Sequence, residues 1–364
     1  MHAVKRFTAL AALVAVALLA VACGSSDDDG GGASTAGGAA APAVEGGRGT
    51  LGVVAIDLQN SFFVKMKKAG DEAAADYGVK ANWQSAQGSV ERQISIVESM
   101  IRQRVGAILV DPIDKNALKP VIAKATAAGI PFISMGNKVE GDGNHNTLYP
   151  DYEDMAQVAR ALATSIGGEG EVGMLVGGRG NFVSDTRERG FVDTLRREFP
   201  EIEVVSVQPT DFEAAKATDV ATTWATTYPN LKGFSCTSDY LCLAAQSALQ
   251  NAGMQPKFAG HDGDAEMAPF LEDGSMVLDV LTGGERVGYW NIAVAARLAA
   301  GRRLPTDLYM PTYLIAGEQN AADLAEDGLE LETVTPARAE QVAQDYRAEF
   351  GPDEPDAAMT VGEQ

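Results

Sequence analysis

Short apolar runs alternate along most of the chain with longer stretches in which apolar residues recur every three or four positions. The first kind predicts buried strands and the second amphipathic helices. A strand at 52–56 precedes a helix over 61–77, where Phe62, Met66, Ala69, Ala73 and Tyr77 share one face and Gly78 ends the run. A strand at 79–83 and a helix over 89–104 follow, with Ile94, Val97 and Ile101 aligned. A strand at 107–110, a helix over 116–128 closed by Gly129, and a strand at 131–135 complete the first series. This β-α-β-α-β-α-β order with short connections predicts a parallel sheet covered on both faces. The pattern restarts at Asp151, read as the cap of a helix reaching 166. Strands at 171–176, 204–208, 231–236, 258–260 and 277–281 then interleave with helices over 185–198, 214–227, 239–251 and 287–300. A strand region at 308–315 and a helix over 336–350 close the series.

Two such series predict an α/β fold of two doubly wound, Rossmann-like lobes joined by a three-segment hinge. The expected lobes are residues 49–150 with 283–310, and residues 151–282 with 311–350. The crossings fall near 149–151, 282–283 and 309–311, and residues 351–364 form a frayed tail. In open α/β sheets the loops after the strands hold the ligand, so two facing sheets would make a binding cleft.

The beginning of the chain has another character. Lys5 and Arg6 precede an uncharged apolar run over 7–22, too short to span a bilayer, and Cys23 follows at once. Residues 1–22 therefore read as a signal peptide. Ala20-Val21-Ala22-Cys23 reads as a lipobox with its usual leucine one place early, at Leu19, so that Cys23 is the expected lipidation site. A lipid chain would hold the protein on a membrane without spanning it. The rest of 23–48 is Gly, Ala, Ser and Asp with almost no large apolar side chain, a flexible tether. The formal net charge is −21, which argues against nucleic acid and against electrostatic binding to anionic lipid. Cys236 and Cys242 are placed in an oxidising compartment by the export signal and form either a disulfide or two buried thiols. With three histidines in the chain, no cluster has metal-ligand spacing, and neither a metal nor a cofactor is expected.

Candidate chemistry lies after the strands. Asp57-Leu58-Gln59-Asn60-Ser61-Phe62-Phe63 crowds a carboxylate, two amides and two aromatic rings into one strand-to-helix turn. Carboxylate and amide oxygens accept from hydroxyls, and flat rings pack on the C–H face of a sugar-like molecule. Asn60 also suits a helix cap, and adjacent phenylalanines cannot both face one core. Gly177-Gly178-Arg179-Gly180 lacks the Lys-Ser/Thr end of a phosphate cradle. Four further landmarks follow in order: Thr186-Arg187-Glu188-Arg189-Gly190, Gln208-Pro209-Thr210-Asp211-Phe212, Thr237-Ser238-Asp239 and His261-Asp262-Gly263. With the first turn, these make the stretch from about Leu51 to about Leu314 resemble the ribose-binding protein family, the type I periplasmic solute-binding proteins related to LacI-type regulators.

The resemblance implies roles. Asn60, Phe62 and Phe63 would line the first lobe, Arg187 would donate to ligand oxygens, Phe212 would stack from the second lobe, and Asp262 would accept from two hydroxyls. Ser238 stands where the family has a ligand-binding Asn, with Asp239 read as the next helix's cap. Thr282 stands where a hinge Gln touches the ligand. Gly136-Asn137 replaces an Asp-Arg pair, which leaves Asn137 as the candidate there. Asp57 replaces a Thr, and His261 replaces an aromatic wall. These departures argue against ribose itself. Tyr149, Tyr152, Tyr240 and Trp83 are read as packing residues in preference to cleft contacts, and so is Asp111 at the end of the third strand.

The implied function is extracytoplasmic capture of a monosaccharide or sugar alcohol for an ABC permease by a monomer that is not an enzyme. The alternatives are a sensory or quorum-signal receptor of the same fold and, using Asp57 and Asp262 as paired carboxylates, a glycoside hydrolase.

Overall fold

A computed structural model describes residues 49–356. The leader 1–22, Cys23, the tether to residue 48 and the last residues, 357–364, lie outside the described residues. In chain order the elements are β1 (Thr50–Ala55), α1 (Ser61–Asp76), β2 (Lys80–Ser85), α2 (Val90–Gln103), β3 (Ala107–Val110), α3 (Lys119–Ala127), β4 (Phe132–Met135) and β5 (Asn144–Leu148). Then come α4 (Asp151–Ser165), β6 (Gly170–Val176), α5 (Phe182–Glu198), β7 (Ile202–Pro209), α6 (Ala214–Thr227), β8 (Leu231–Cys236), α7 (Asp239–Asn251) and β9 (Lys257–Ala259). A short α8 (Ala268–Glu272), β10 (Met276–Leu281), α9 (Gly284–Ala299), β11 (Asp307–Tyr309), β12 (Tyr313–Ile315), α10 (Glu318–Glu326), β13 (Thr333–Val334), α11 (Pro336–Gln344) and α12 (Tyr346–Phe350) complete the chain.

The strands form two sheets. The first has the order β11-β5-β4-β3-β1-β2 and the second β13-β12-β10-β9-β8-β6-β7. Pairing is parallel throughout except between β10 and β12. The central strands carry unbroken apolar runs because helices cover both faces; Leu51, Val53, Val54 and Ala55 of β1 are fully buried. In each sheet the strand order reverses beside its first strand, between β1 and β3 and again between β6 and β8. Those reversals open crevices at the carboxyl ends of the strands.

β5 has no apolar alternation to announce it. Asn144, Asn146 and Thr147 are buried polar groups satisfied by one another and by neighbouring segments. Asn144 donates to the Val139 carbonyl at 2.6 Å and to Asn146 Oδ1 at 2.9 Å, Asn146 donates to Asp307 at 2.8 Å, and Thr147 donates to Asn291 at 2.7 Å. Asp151 is not the cap of α4. Pro150 holds that position, and the Asp151 carboxylate instead accepts from Arg187.

The chain passes between the sheets at 149–150, 282–283 and 310–312, and once more at Asp345. Val342 of α11 packs in the second lobe, whereas Phe350 of α12 is buried in the core of the first, beside Trp290. Residues 346–350 therefore belong with the first lobe, not the second. The tail beyond is tied down as far as Asp356, where Arg297 bonds the Gly351 and Glu354 carbonyls and the Asp356 carboxylate. Cys236 and Cys242 are joined by a disulfide with Cα atoms 5.5 Å apart, linking the end of β8 to the first turn of α7.

Helices α4 and α5 pack so closely that a Cβ on Gly190 would run into the Tyr152 backbone carbonyl. This approach brings Arg187, one turn earlier on α5, to the start of α4. Gly190→Ala is expected to destabilise the protein by about 1–3 kcal/mol through overpacking. An alanine in an uncrowded helix stabilises instead, so the sign of the shift in a denaturant melt decides whether the contact is as tight as described.

Candidate functional site

The two crevices face each other and enclose a cavity of about 470 Å³. Nine of the ten candidate binding residues line it: Asp57, Asn60, Phe62, Phe63, Asn137, Arg187, Phe212, Ser238 and Asp262. Each stands just after a strand or in the first turns of the following helix, which is why positions far apart in sequence converge.

The first lobe supplies the turn after β1. Asp57 Oδ1 accepts from the backbone N–H groups of Gln59 and Asn60, and Asn60 caps α1 by accepting from Phe62 N at 2.9 Å. This tight turn aims Phe62 and Phe63 into the cavity, their rings edge to face with centroids 5.6 Å apart. Both rings line the cavity. From β4, Asn137 donates to Asp111 Oδ1 at 2.8 Å, and its own Oδ1 accepts from Val183 N of the second lobe at 3.1 Å.

The second lobe supplies the charged floor. Arg187 Nε donates to Asp151 at 2.7 Å, and Nη1 donates to the Thr237 carbonyl at 2.7 Å and to Asp262 Oδ1 at 3.1 Å. Ser238 donates to Asp262 Oδ2. Burial alone would raise the Asp262 pKa, but hydrogen bonds and charge from His261, Arg187 and Ser238 outweigh it and hold the carboxyl below its ordinary value. Asp262 has φ of 132°, a strained conformation for a non-glycine residue of the kind that collects at functional sites. Opposite, Asp211 and Phe212 have φ of 51° and 58°, and this left-handed turn lays the Phe212 ring over Gly177. A Cβ at Gly177 would fall within the ring, so the glycine-rich loop after β6 makes room for an aromatic wall.

Three sequence expectations are corrected. Thr282 is buried outside the cavity lining, its hydroxyl facing the Asp262 carbonyl at 3.5 Å and its own carbonyl accepting from Arg286. His261 is not a wall of the cavity. It is fully buried behind Asp262, with Nδ1 3.6 Å from Asp262 Oδ1 and Nε2 3.6 Å from Asp154 Oδ2. Asp239 does not cap α7; Ser238 holds that position, and Asp239 Oδ2 accepts from Asp264 N at 2.8 Å.

Asp111, Tyr149 and Tyr240, read from sequence as packing residues, line the cavity; Tyr152 and Trp83 do not. Tyr240 donates to the Phe212 carbonyl at 2.9 Å and so steadies the aromatic wall. Burial pushes the Asp111 carboxyl up to about 7, with Asn137 opposing. The signal available for Asp111 was its place directly after β3, one side of the first strand-order reversal.

Among the described residues no group of His, Cys, Asp and Glu is placed to hold a metal ion. No helix among them is long and apolar enough to cross a membrane. The carboxylate of Asp262 lies between Ser238 and His261, so the imidazole does not meet the hydroxyl and the three do not form a nucleophile–base relay. Aromatic walls and convergent polar tips between two lobes define a binding protein that holds its ligand in an interlobe cleft.

Comparison with known proteins specifies the class. Residues 51–303 match the model of the periplasmic binding protein domain, and the chain belongs to that family in its type I, sugar-binding branch. Members of this family are exported solute-binding proteins rather than enzymes. The chain is 28% identical over 268 residues to a xylitol-binding protein of Mycolicibacterium smegmatis, covering 73% of this chain and 75% of the relative. It is 29% identical over 265 residues to a D-ribose/D-allose-binding protein of Pseudomonas aeruginosa, covering 69% and 82%. A solute-binding protein of Actinobacillus succinogenes solved with bound D-allose superposes with a TM-score of 0.70 at 25% identity, covering 74% of this chain and 98% of that one.

Behind the site, Asp239 and Asp279 are fully buried and face each other, with the Asp239 carboxyl hydrogen-bonded to Asp279. Burial and the mutual repulsion of nearby carboxylates raise Asp239, and burial raises Asp279 to about 7. A carboxyl raised from 3.8 to about 7 binds more protons folded than unfolded between those values. Its favourable share is therefore complete below about pH 4 and is lost as pH rises to about 7. Asp279→Asn is expected to flatten this decline, by up to about 1.4 kcal/mol per pH unit, in denaturant melts across that range. An unchanged slope would show that Asp279 ionises normally in the fold.

Proposed function

We propose that this chain is the extracytoplasmic receptor of an ABC importer, capturing a monosaccharide or sugar alcohol in its interlobe cavity. The observation that carries the reading is the chemistry of that cavity. Phe62 and Phe63 from one lobe and Phe212 from the other present flat apolar faces, while Asp262, Arg187, Asn137 and Ser238 present polar tips between them. A sugar ring has the complementary surface, with C–H faces and a rim of hydroxyls. Relatives whose names specify xylitol, ribose and allose support the same ligand class. The loss of an Asp-Arg pair at Gly136-Asn137 points away from ribose. Cys23 would be lipidated after removal of residues 1–22 and would hold the monomeric receptor at the outer face of the cytoplasmic membrane beside its permease.

The mechanism is a shift between open and closed lobes, driven by ligand contacts available only when the lobes meet. Asn60 and Asn137 would hydrogen-bond the ligand from the first lobe, and Arg187, Ser238 and Asp262 from the second, with a ring stacked between the phenylalanines.

A thermal-shift screen of pentoses, hexoses and polyols is expected to return at least one ligand that raises the melting temperature, because binding to the folded state alone stabilises it. No shift with any of them, on protein shown to be folded, would overturn the reading. With that ligand, Asp262→Ala and Arg187→Ala should each weaken binding by about 2–5 kcal/mol in calorimetry, since each leaves a desolvated partner unpaired. Unchanged affinity in both variants would remove this floor from the site.

A further inference from the structure

The carboxylates around the cavity are not equivalent. Asp262 is paired with Arg187, while Asp211 and Glu213 are paired with Lys216 at the rim. Asp111 has no cationic partner among the described residues. Its carboxyl accepts one side-chain hydrogen bond, from Asn137 at 2.8 Å on Oδ1. Asp57 likewise accepts only from backbone N–H groups of its own turn. Among the described residues Arg187 is the one cation lining the cavity, and it already serves Asp151 and Asp262. Among the described residues no cation neutralises the carboxyl groups of the first-lobe wall.

A half-buried carboxyl poorly solvated and without a counter-charge holds its proton longer than usual, as Asp111 does. An ammonium group in the cavity would supply the missing charge. It would displace no protein hydrogen bond, because Asn137 occupies Oδ1 and leaves Oδ2 to the ligand. A second carboxylate brought into the same space would meet like charge in a poorly solvated setting, which is costly. Asn137 also receives the Val183 N–H from across the cleft. A ligand that fixes Asp111 therefore fixes the group that joins the lobes.

We propose that Asp111 reads ligand charge, so that the site prefers a hydroxyl-rich ligand bearing a protonated amine over its neutral counterpart and excludes one bearing a carboxylate or phosphate. This rests on the sugar- or polyol-binding reading above and narrows its substrate class to amino sugars and aminopolyols.

The test is calorimetry near pH 7 with matched hexoses: amino sugars carrying the amine at different ring carbons, the neutral parent and the corresponding uronate. In the wild-type protein the best amino sugar should bind about tenfold tighter than its parent, the worth of one charge-assisted hydrogen bond, and the uronate should not bind. In Asp111→Asn, a near-isosteric change, the ratio of amino-sugar to parent affinity should fall from about tenfold to about one, whatever the change in absolute affinity. Melting curves of the variant verify its fold. Equal binding of amine and parent, a preference that survives in Asp111→Asn, or tight uronate binding would each overturn the charge reading and leave the sugar-binding reading standing. Failure of every sugar to bind folded wild-type protein would overturn both.

Discussion

The Arg187 guanidinium is the fixed point of this molecule. It reaches the Asp151 carboxylate at the start of α4, the Thr237 carbonyl at the end of β8 and the Asp262 carboxylate after β9. Three separate segments, one of them at a lobe crossing, are thereby held around a single planar fork. Buried charges cost several kcal/mol each to desolvate and persist only where geometry and hydrogen bonds compensate them. Here compensation is collective. Asp151, Asp154 and Asp262 gather around Arg187 and His261, and the imidazole has its pKa raised: burial and Arg187 oppose protonation, and the carboxylates of Asp154 and Asp262 outweigh them. No member can leave without stranding another. The cluster therefore contributes rigidity and orientation more than net stability, and that rigidity holds Asp262 in its strained conformation.

That geometry follows from strand order. The first strand of each series sits inside its sheet, with later strands added on both sides, so crossover helices leave in opposite directions and open a crevice at the reversal. Asp57 and Asp111 flank the reversal in the first sheet. Gly177 and Thr237 flank it in the second. The same rule that makes a parallel sheet possible therefore delivers a carboxylate pair on one side and a backbone floor for an aromatic ring on the other.

The alternation of strands and helices was legible in the sequence because parallel sheets demand long apolar runs, and the turn chemistry around Asn60, Phe212 and Asp262 was legible because it is local. What remained hidden depends on distant partners. β5 carries buried asparagines and a threonine whose partners lie as far off as Asp307 and Asn291, so no apolar rhythm marks it. Asp151 looks like a helix cap until Arg187, thirty-six residues on, is placed beside it. Thr282 and Asp111 each follow a strand, and only packing decides that the first turns inward and the second faces the cavity. Phe350 reads as part of one continuous helix, yet the break at Asp345 sends it to the other lobe.

The hinge and the contacts across the cleft differ in strength, and that difference explains how such a molecule can respond to a small guest. Arg286 is fully buried where two crossings meet. It bonds the Thr282 and Pro311 carbonyls and Glu349, and lies 5.0 Å over the Tyr313 ring. Its position fixes the crossings as a unit. Across the cleft mouth the lobes are joined by the Lys65–Asp264 ion pair at 2.8 Å, the Asn137–Val183 bond and contact between Asn60 and Tyr240. The ion pair is largely buried, and each single hydrogen bond contributes roughly 0.5–1.5 kcal/mol. On the proposed binding mode, a ligand that satisfied Asp262 and Arg187 on one side and Asn60 and Asp111 on the other would add free energy only to the closed arrangement. The balance between open and closed lobes would then be set by the guest.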